Sequence, residues 1–289
     1  MKRVILTGGI GNQLFKSLGA IQASNGDLHS ICFDVSWYQA ETFTNGKTAS
    51  RKFELAGFPA FSEVALKVRN PVLSRIESRL IHSQPKLMEQ IGYQFNSTPR
   101  KRNLISTRVY KCDFEDYTAL PSEHTILNYL RFPKTSSSWS QEIRKAANKE
   151  NVIAVHVRRN DYLTFSDIYP KLGLPYYIAS IKHIRSKLGN LPIWLFSDDP
   201  TGVIQEFGKM LEFDRVVNPP PEVSMVEVLE LFSLMNGVVT ANSTFSWWGA
   251  YLGSIRGNVE EVTIPEKFTS LENDPGLRLR TPGWKIIAS

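Results

Sequence analysis

The sequence predicts an α/β protein of two halves, each a parallel sheet carrying helices, with a ligand cleft between them at the carboxyl ends of the strands. Three observations lead there. Residues 2–34 read as strand, glycine turn, helix and strand, the opening of a β-α-β unit. Residues 152–264 alternate strand and helix segments cleanly, the pattern of a sheet with helices on both faces. Between them, around Pro133 to Ser140, the composition shifts to Ser and Thr, as suits a linker or helix cap. The expected domains are 1–135 and 136–289.

Taken in order, residues 2–7 read as a strand and Gly8-Gly9-Ile10-Gly11 as a tight loop. Positions 12–25 read as a helix with Leu14, Phe15, Leu18 and Ile21 on one face, and 29–34 as a second strand. Residues 41–60 look like loop, and 62–82 carry a helical pattern with basic and apolar positions alternating. Residues 83–132 are less regular, with short strand candidates at 104–110 and 124–130. A helix over 140–150 opens the second half. Strands at 152–157, 192–197, 213–217, 236–240 and 259–264 then alternate with helices at 175–188, 201–208, 224–235 and 245–254. There is no internal repeat.

The 289 residues suffice for one large or two ordinary cores, and 42% hydrophobic with 21% charged residues excludes a disordered chain. A net charge of +6 and a pI of about 9.2 suit a phosphorylated substrate or an anionic membrane surface. Nucleic acid is not expected, because Arg100-Lys101-Arg102 is the densest basic cluster and reads as a solvated loop. Cys32 and Cys112 form neither a metal pattern nor a disulfide framework, which points to a reducing, cytoplasmic setting. No run reaches 18 apolar residues, and Met1-Lys2-Arg3 before Val-Ile-Leu-Thr-Gly-Gly is too short for a signal peptide.

Four loops fall where the strands end. The most informative is His156-Val157-Arg158-Arg159-Asn160-Asp161-Tyr162, where a buried strand runs straight into two arginines. Burying cations there is costly unless an anion meets them, and the arginine fork suits phosphate oxygens. The structural alternative is an Arg–Asp pair that staples a loop. His156 shares a face with Arg158 and reads either as a ligand contact or as a core histidine.

In Gly8-Gly9-Ile10-Gly11-Asn12-Gln13 the glycines let backbone approach a ligand ahead of a helix N-terminus, or simply make a turn. Gly9 and Gly11 half-match a dinucleotide fingerprint, with Asp34 near a ribose, but Leu14 stands where the third glycine belongs. Ser197-Asp198-Asp199-Pro200 offers two carboxylates that could accept from a purine; Asp199-Pro200 also reads as a helix N-cap with proline at N1. A metal is not expected there. Finally, Asn242-Ser243-Thr244-Phe245-Ser246 brings Asn242 and three hydroxyls to a helix start, more than one cap needs, which reads as an anion site.

Together the four loops resemble the bacterial α-1,2-fucosyltransferases (glycosyltransferase family 11), within the wider α-1,2/α-1,6/protein-O-fucosyltransferase superfamily. Gly-Gly-Ile-Gly-Asn-Gln-Leu-Phe at 8–15 is similar to the N-terminal motif, and residues 156–162 match His-x-Arg-Arg-x-Asp-Tyr. Phe196-Ser-Asp-Asp199 and Asn242-Ser-Thr-Phe-Ser-Trp-Trp248 match the other two, so the resemblance runs end to end.

The resemblance implies a GT-B-like fold of two Rossmann-type halves: an N-terminal acceptor-side domain and a C-terminal GDP-fucose-binding domain. It implies inverting transfer of L-fucose from GDP-β-L-fucose to the 2-hydroxyl of a galactoside, with no metal and no cofactor beyond the donor substrate. Arg158 and Arg159 would hold the diphosphate and stabilise the leaving GDP. Ser243, Thr244 and Ser246 would join them at the phosphates, within a donor site that also takes in Gly9, Gly11, Asn242 and Phe245. His156 and one of Asp198 or Asp199 would read guanine and ribose, and Asn12 would face the fucose or the acceptor. The acceptor implied is a terminal β-galactoside on an oligosaccharide or lipid-linked glycan. The basic balance allows peripheral contact with the inner face of the membrane.

There are three departures: the first is tolerable because Asn accepts positive φ, and the other two concern the acceptor more than the reaction. Asn160 replaces a common Gly, Asn128-Tyr129-Leu130-Arg131 a usual Gly-Tyr-x-Gln, and Pro265-Glu266-Lys267 lacks a usual Trp. Asp161 is the candidate general base, or an orienter of the arginines. Two rivals are an NAD-dependent oxidoreductase, which leaves the arginines and 240–248 unexplained, and a nucleotide-sugar-binding protein without catalysis.

Overall fold

The computed structural model describes residues 1–39, 51–95, 108–134, 136–159, 166–272 and 274–289. It divides the chain into Met1–Arg131 and Phe132–Ser289. Each unit is built on one parallel sheet.

In the first unit, β1 (Lys2–Ile5), β2 (Ile31–Asp34), β3 (Ala65–Lys67), β4 (Tyr93–Gln94) and β5 (Val109–Tyr110) lie in the order β3-β2-β1-β5-β4. The first helix, α1 (Ile10–Gln22), buries Leu14, Phe15, Leu18 and Ile21, the face expected from its spacing. A short α2 (Ser36–Gln39) follows β2.

Two expectations fail here. Residues 62–82 are not one helix. Ala65–Lys67 pairs with β2 as an edge strand, and α3 (Pro71–Ser83) begins only at the proline. A residue before proline is pushed out of the helical region, and Asn70 caps the helix by accepting from the Val72 N–H. Residues 124–130 are not a strand but α5 (Glu123–Tyr129). Ser122 caps it, and Ile126 and Leu130, one turn apart, are fully buried. The β-branched content of Thr-Ile-Leu was misleading; the cap and the i,i+4 pair decide. A further helix, α4 (Pro85–Gln90), lies in the stretch read as irregular. Of the 104–110 candidate, Val109–Tyr110 is strand, and 104–107 lie outside the described residues.

The second unit opens with α6 (Ser138–Ala147), capped by Ser137. Its strands are β6 (Ile153–Val157), β7 (Ile193–Ser197), β8 (Arg215–Val217), β9 (Gly237–Val239), β10 (Glu261–Pro265) and β11 (Lys285–Ile287). Helices α7 (Leu174–Leu188), α8 (Pro200–Phe207), α9 (Met225–Phe232) and α10 (Thr244–Ile255) connect them. The sheet order is β11-β10-β9-β6-β7-β8, all parallel. The edge strand β11 was not foreseen: three residues, two of them exposed, carry too little pattern.

β6 explains the layering. Ile153, Val155 and Val157 pack on one side with Tyr176, Tyr177 and Ile181 of α7 and Val203 and Phe207 of α8. Ala154 packs on the other with Ile143 of α6 and Leu231 and Phe232 of α9. Covered on both faces, the strand must be apolar throughout, apart from His156. The chain leaves β6 toward β7 and β8, then crosses back to lay β9 on the other side of β6. The carboxyl ends of β6 and β9 therefore flank the point where the order reverses, the place where open α/β sheets bind ligands.

Candidate active site

Arg158 and Arg159 directly follow β6, Asp198 and Asp199 follow β7, and Asn242 and Ser243 follow β9. Three adjacent strands thus deliver three of the predicted loops to one edge of the second sheet.

Asp198 ties the first two loops together. Its Oδ2 lies 3.0 Å from Arg158 Nη1, and its Oδ1 accepts the Arg159 backbone N–H at 2.8 Å. Arg159 is 3% exposed. Its guanidinium carbon sits 5.0 Å from the centre of the Phe207 ring, and Nη2 is 3.4 Å from Glu206 Oε2, which also meets Lys171 Nζ at 2.8 Å. Arg159 Nε is buried and makes no hydrogen bond among the described residues. A desolvated guanidinium with a donor unused is a strong recognition element for an anion. Glu206, Lys171 and Phe207 were not singled out from sequence. One signal was present: Glu206 stands in the last turn of α8, where the helix dipole disfavours an anion unless cations answer it.

Asp199 does something different. It caps α8 by accepting from the Gly202 N–H at 3.0 Å, with Pro200 at N1. A Cβ on residue 202 would sit 2.2 Å from Asp199 Oδ2, so the cap requires glycine there. The carboxylates expected to read a purine are thus engaged within the fold, Asp199 as a cap and Asp198 on the arginines.

His156 is buried, with its ring 5.3 Å from that of Phe245 and 6.0 Å from that of Phe232. Burial, and then the nearby Arg158 charge, push its pKa down to about 3, so the ring is neutral at ordinary pH. Its Nδ1 has no hydrogen-bond partner among the described residues.

The turn after β9 is held from inside. Asn242 Nδ2 donates to the Pro170 carbonyl at 3.0 Å and the Phe268 carbonyl at 3.1 Å. Ser246 Oγ, fully buried, accepts from the Ala241 N–H at 3.1 Å and donates back to the Ser243 carbonyl at 3.2 Å. Ser246 was expected at the phosphates and Asn242 in the donor site; the hydrogen bonds named here brace the turn. Ser243 is the N-cap residue of α10, in extended conformation, and makes no side-chain cap bond. The N-terminus of this twelve-residue helix, where backbone N–H groups gather, lies beside the arginine loop, with Thr244 and Phe245 half-buried in its first turn.

In the first unit, Gly8 has φ +80°, and a Cβ there would come within 2.8 Å of Asn12 Nδ2. Gly9 is the N-cap of α1, followed by Gly11 and Asn12 in its first turn. Buried Gln13 braces this loop: Nε2 donates to the Gly8 and Lys52 carbonyls, and Oε1 accepts the Glu54 N–H. Asp34, the carboxylate a dinucleotide site would need for ribose, is 3% exposed and held by Arg3 Nη1 at 2.8 Å and the Ser36 N–H at 3.0 Å. Asn160 and Asp161 lie outside the described residues.

The model of the family described as "Glycosyl transferase family 11" matches residues 4–272. The chain is 30% identical over 132 residues to the O-antigen biosynthesis glycosyltransferase WbnK of Escherichia coli, covering 45% of this chain and 43% of that protein. It spans less than half of that relative. It is 24% identical over 266 residues to an alpha-1,2-colitosyltransferase of Escherichia coli, covering 86% of each. Among solved structures, the fucosyltransferase NodZ from Bradyrhizobium has a similar fold, with TM-score 0.51 at 14% identity over 90% of this chain and 93% of that one. The NodZ alpha-1,6-fucosyltransferase soaked with GDP-fucose gives TM-score 0.50 at 15% identity, over 90% and 94%.

Proposed function

The chain belongs to glycosyl transferase family 11, and on that premise we propose that it transfers L-fucose from GDP-β-L-fucose, with inversion, to the 2-hydroxyl of a galactoside in bacterial surface-glycan synthesis. The observation that carries this is the placement of Arg158 and Arg159 beside the N-terminus of α10, at the reversal point of the second sheet. Negative charge builds on a departing diphosphate as the sugar takes on oxocarbenium character. Fixed cations and helix N–H groups aimed at that charge lower the barrier without reorganising during the reaction. Arg159, desolvated and gripped on one side by Glu206 and Phe207, supplies a held cation; Arg158, oriented by Asp198, supplies a second. His156, neutral, offers a ring nitrogen as hydrogen-bond partner rather than a charge.

The engagement of Asp34 with Arg3 and Ser36 argues against the dinucleotide reading. The colitosyltransferase likeness supports a second reading in which the sugar is colitose, which is fucose lacking its 3-hydroxyl; the diphosphate machinery would serve either donor.

GDP release from GDP-fucose, with and without a panel of β-galactosides and in the presence of EDTA, tests the proposal. Release that depends on a galactoside supports it. Release only from GDP-colitose would change the donor sugar. Failure to bind GDP at all, by calorimetry, would overturn the donor site.

A further inference from the structure

Half of the large apolar side chains exposed among the described residues lie between positions 66 and 91. On α3, Val72, Leu73, Ile76 and Leu80 recur at three- and four-residue spacing and are each 40–61% exposed. A surface helix ordinarily turns such a stripe inward. Here the inward face carries Glu77, whose carboxylate receives Arg3, Arg69 and the Tyr93 hydroxyl. That half-buried polar anchor holds α3 with its apolar side outward. Arg75 and Arg79 border the stripe, and α4, packed against α3, adds exposed Lys86 and Leu87, with exposed Ile91 just after it. The exposed charges on α3 and α4, Arg75, Arg79 and Lys86, are all cationic, whereas Glu77 and Glu89 are half-buried.

We propose that α3 and α4 form the surface by which this protein lies on an anionic lipid bilayer. The apolar stripe would enter the boundary between headgroups and acyl chains, with Arg75, Arg79 and Lys86 at the level of the lipid phosphates. An apolar stripe whose exposed bordering charges are cationic is complementary to an anionic lipid surface. No helix among the described residues is long and apolar enough to cross a membrane, so the contact is peripheral. This inference stands apart from the donor-site reading.

The test is co-sedimentation of the full chain with phosphatidylcholine vesicles, with and without phosphatidylglycerol. Binding is expected to need the anionic lipid and to weaken with added salt. Arg75→Glu with Arg79→Glu should weaken it by about tenfold or more, and Leu73→Ser with Ile76→Ser comparably. Both pairs should keep the wild-type melting temperature and acceptor-dependent GDP release with a soluble acceptor. If the serine pair unfolds, the charge pair decides alone. Absence of binding, or binding that neither pair reduces, overturns the proposal. So does a vesicle-free dimer that the serine pair dissociates, which would give the stripe to a second copy of the chain.

Discussion

Asp198 holds Arg158 by its side chain, Oδ2 to Nη1 at 3.0 Å, while its other oxygen takes the backbone N–H of the next residue. One carboxylate therefore sets the direction of one arginine and the path of the chain into the second. Asp198→Asn keeps an oxygen for the Arg159 N–H but loses the ion pair. Turnover at saturating donor should fall about ten- to a hundredfold, while GDP binds at least as tightly, since an anion has been removed. Equal loss in turnover and GDP affinity would mean that Asp198 touches the ligand itself.

Arg159→Lys retains a charge but loses the planar fork, the Phe207 contact and the buried Nε donor. Turnover should drop by about a hundred- to a thousandfold, with a melting temperature close to wild type. Near-normal turnover with saturating donor would remove Arg159 from the reaction.

The neighbouring Asp199 should behave as a cap. Asp199→Ala should lower unfolding free energy by about 1 kcal/mol, and Asp199→Ser by much less, because serine also caps. Gly202→Ala should match or exceed the alanine cost, since its Cβ meets the same carboxylate. Denaturant titration of the three variants checks the order. A donor KM that rises in Asp199→Ser at unchanged stability would assign this carboxylate to the ligand.

His156 gives a pH prediction. In the unfolded chain the ring takes up a proton below about pH 6.5, whereas in the fold it stays neutral down to about 3. The unfolded state then binds more protons, so stability is complete above that range and is lost as pH falls through it, by at most about 1.4 kcal/mol per pH unit. The difference in unfolding free energy between pH 6.5 and pH 5 should shrink in His156→Gln, as measured by chemical denaturation. An unchanged slope would mean that the ring gains a compensating partner in acid.

The alternation of the second half was legible because its strands are covered on both faces. Runs such as Ile153 to Val157 can hardly be read otherwise, and each ends abruptly in polar residues. The first half hid more. Asn70-Pro71 and Ser122 to Leu130 set boundaries through a cap and a pre-proline restriction, signals weaker than the apolar pattern around them. In the site, the arginines stood out because two adjacent cations at the end of a buried strand call for an anion, whether from a ligand or from the fold itself. Whether a polar side chain faces a ligand or the fold was not legible. Asn242 and Ser246 brace a turn through partners at positions 170, 268, 241 and 243, two of them far away in sequence. Glu206 acquires meaning only once α8 is packed beside Arg159.

The brace on the β9–α10 turn has a thermodynamic consequence. Pro170, Phe268 and Ala241 already fix this segment before any ligand arrives. An anion that docks at the α10 N-terminus meets donors whose ordering entropy was lost during folding, so the association free energy carries little penalty for that turn. Calorimetry of GDP binding to this edge should then show a small heat-capacity change, free of the large negative contribution that accompanies coupled folding.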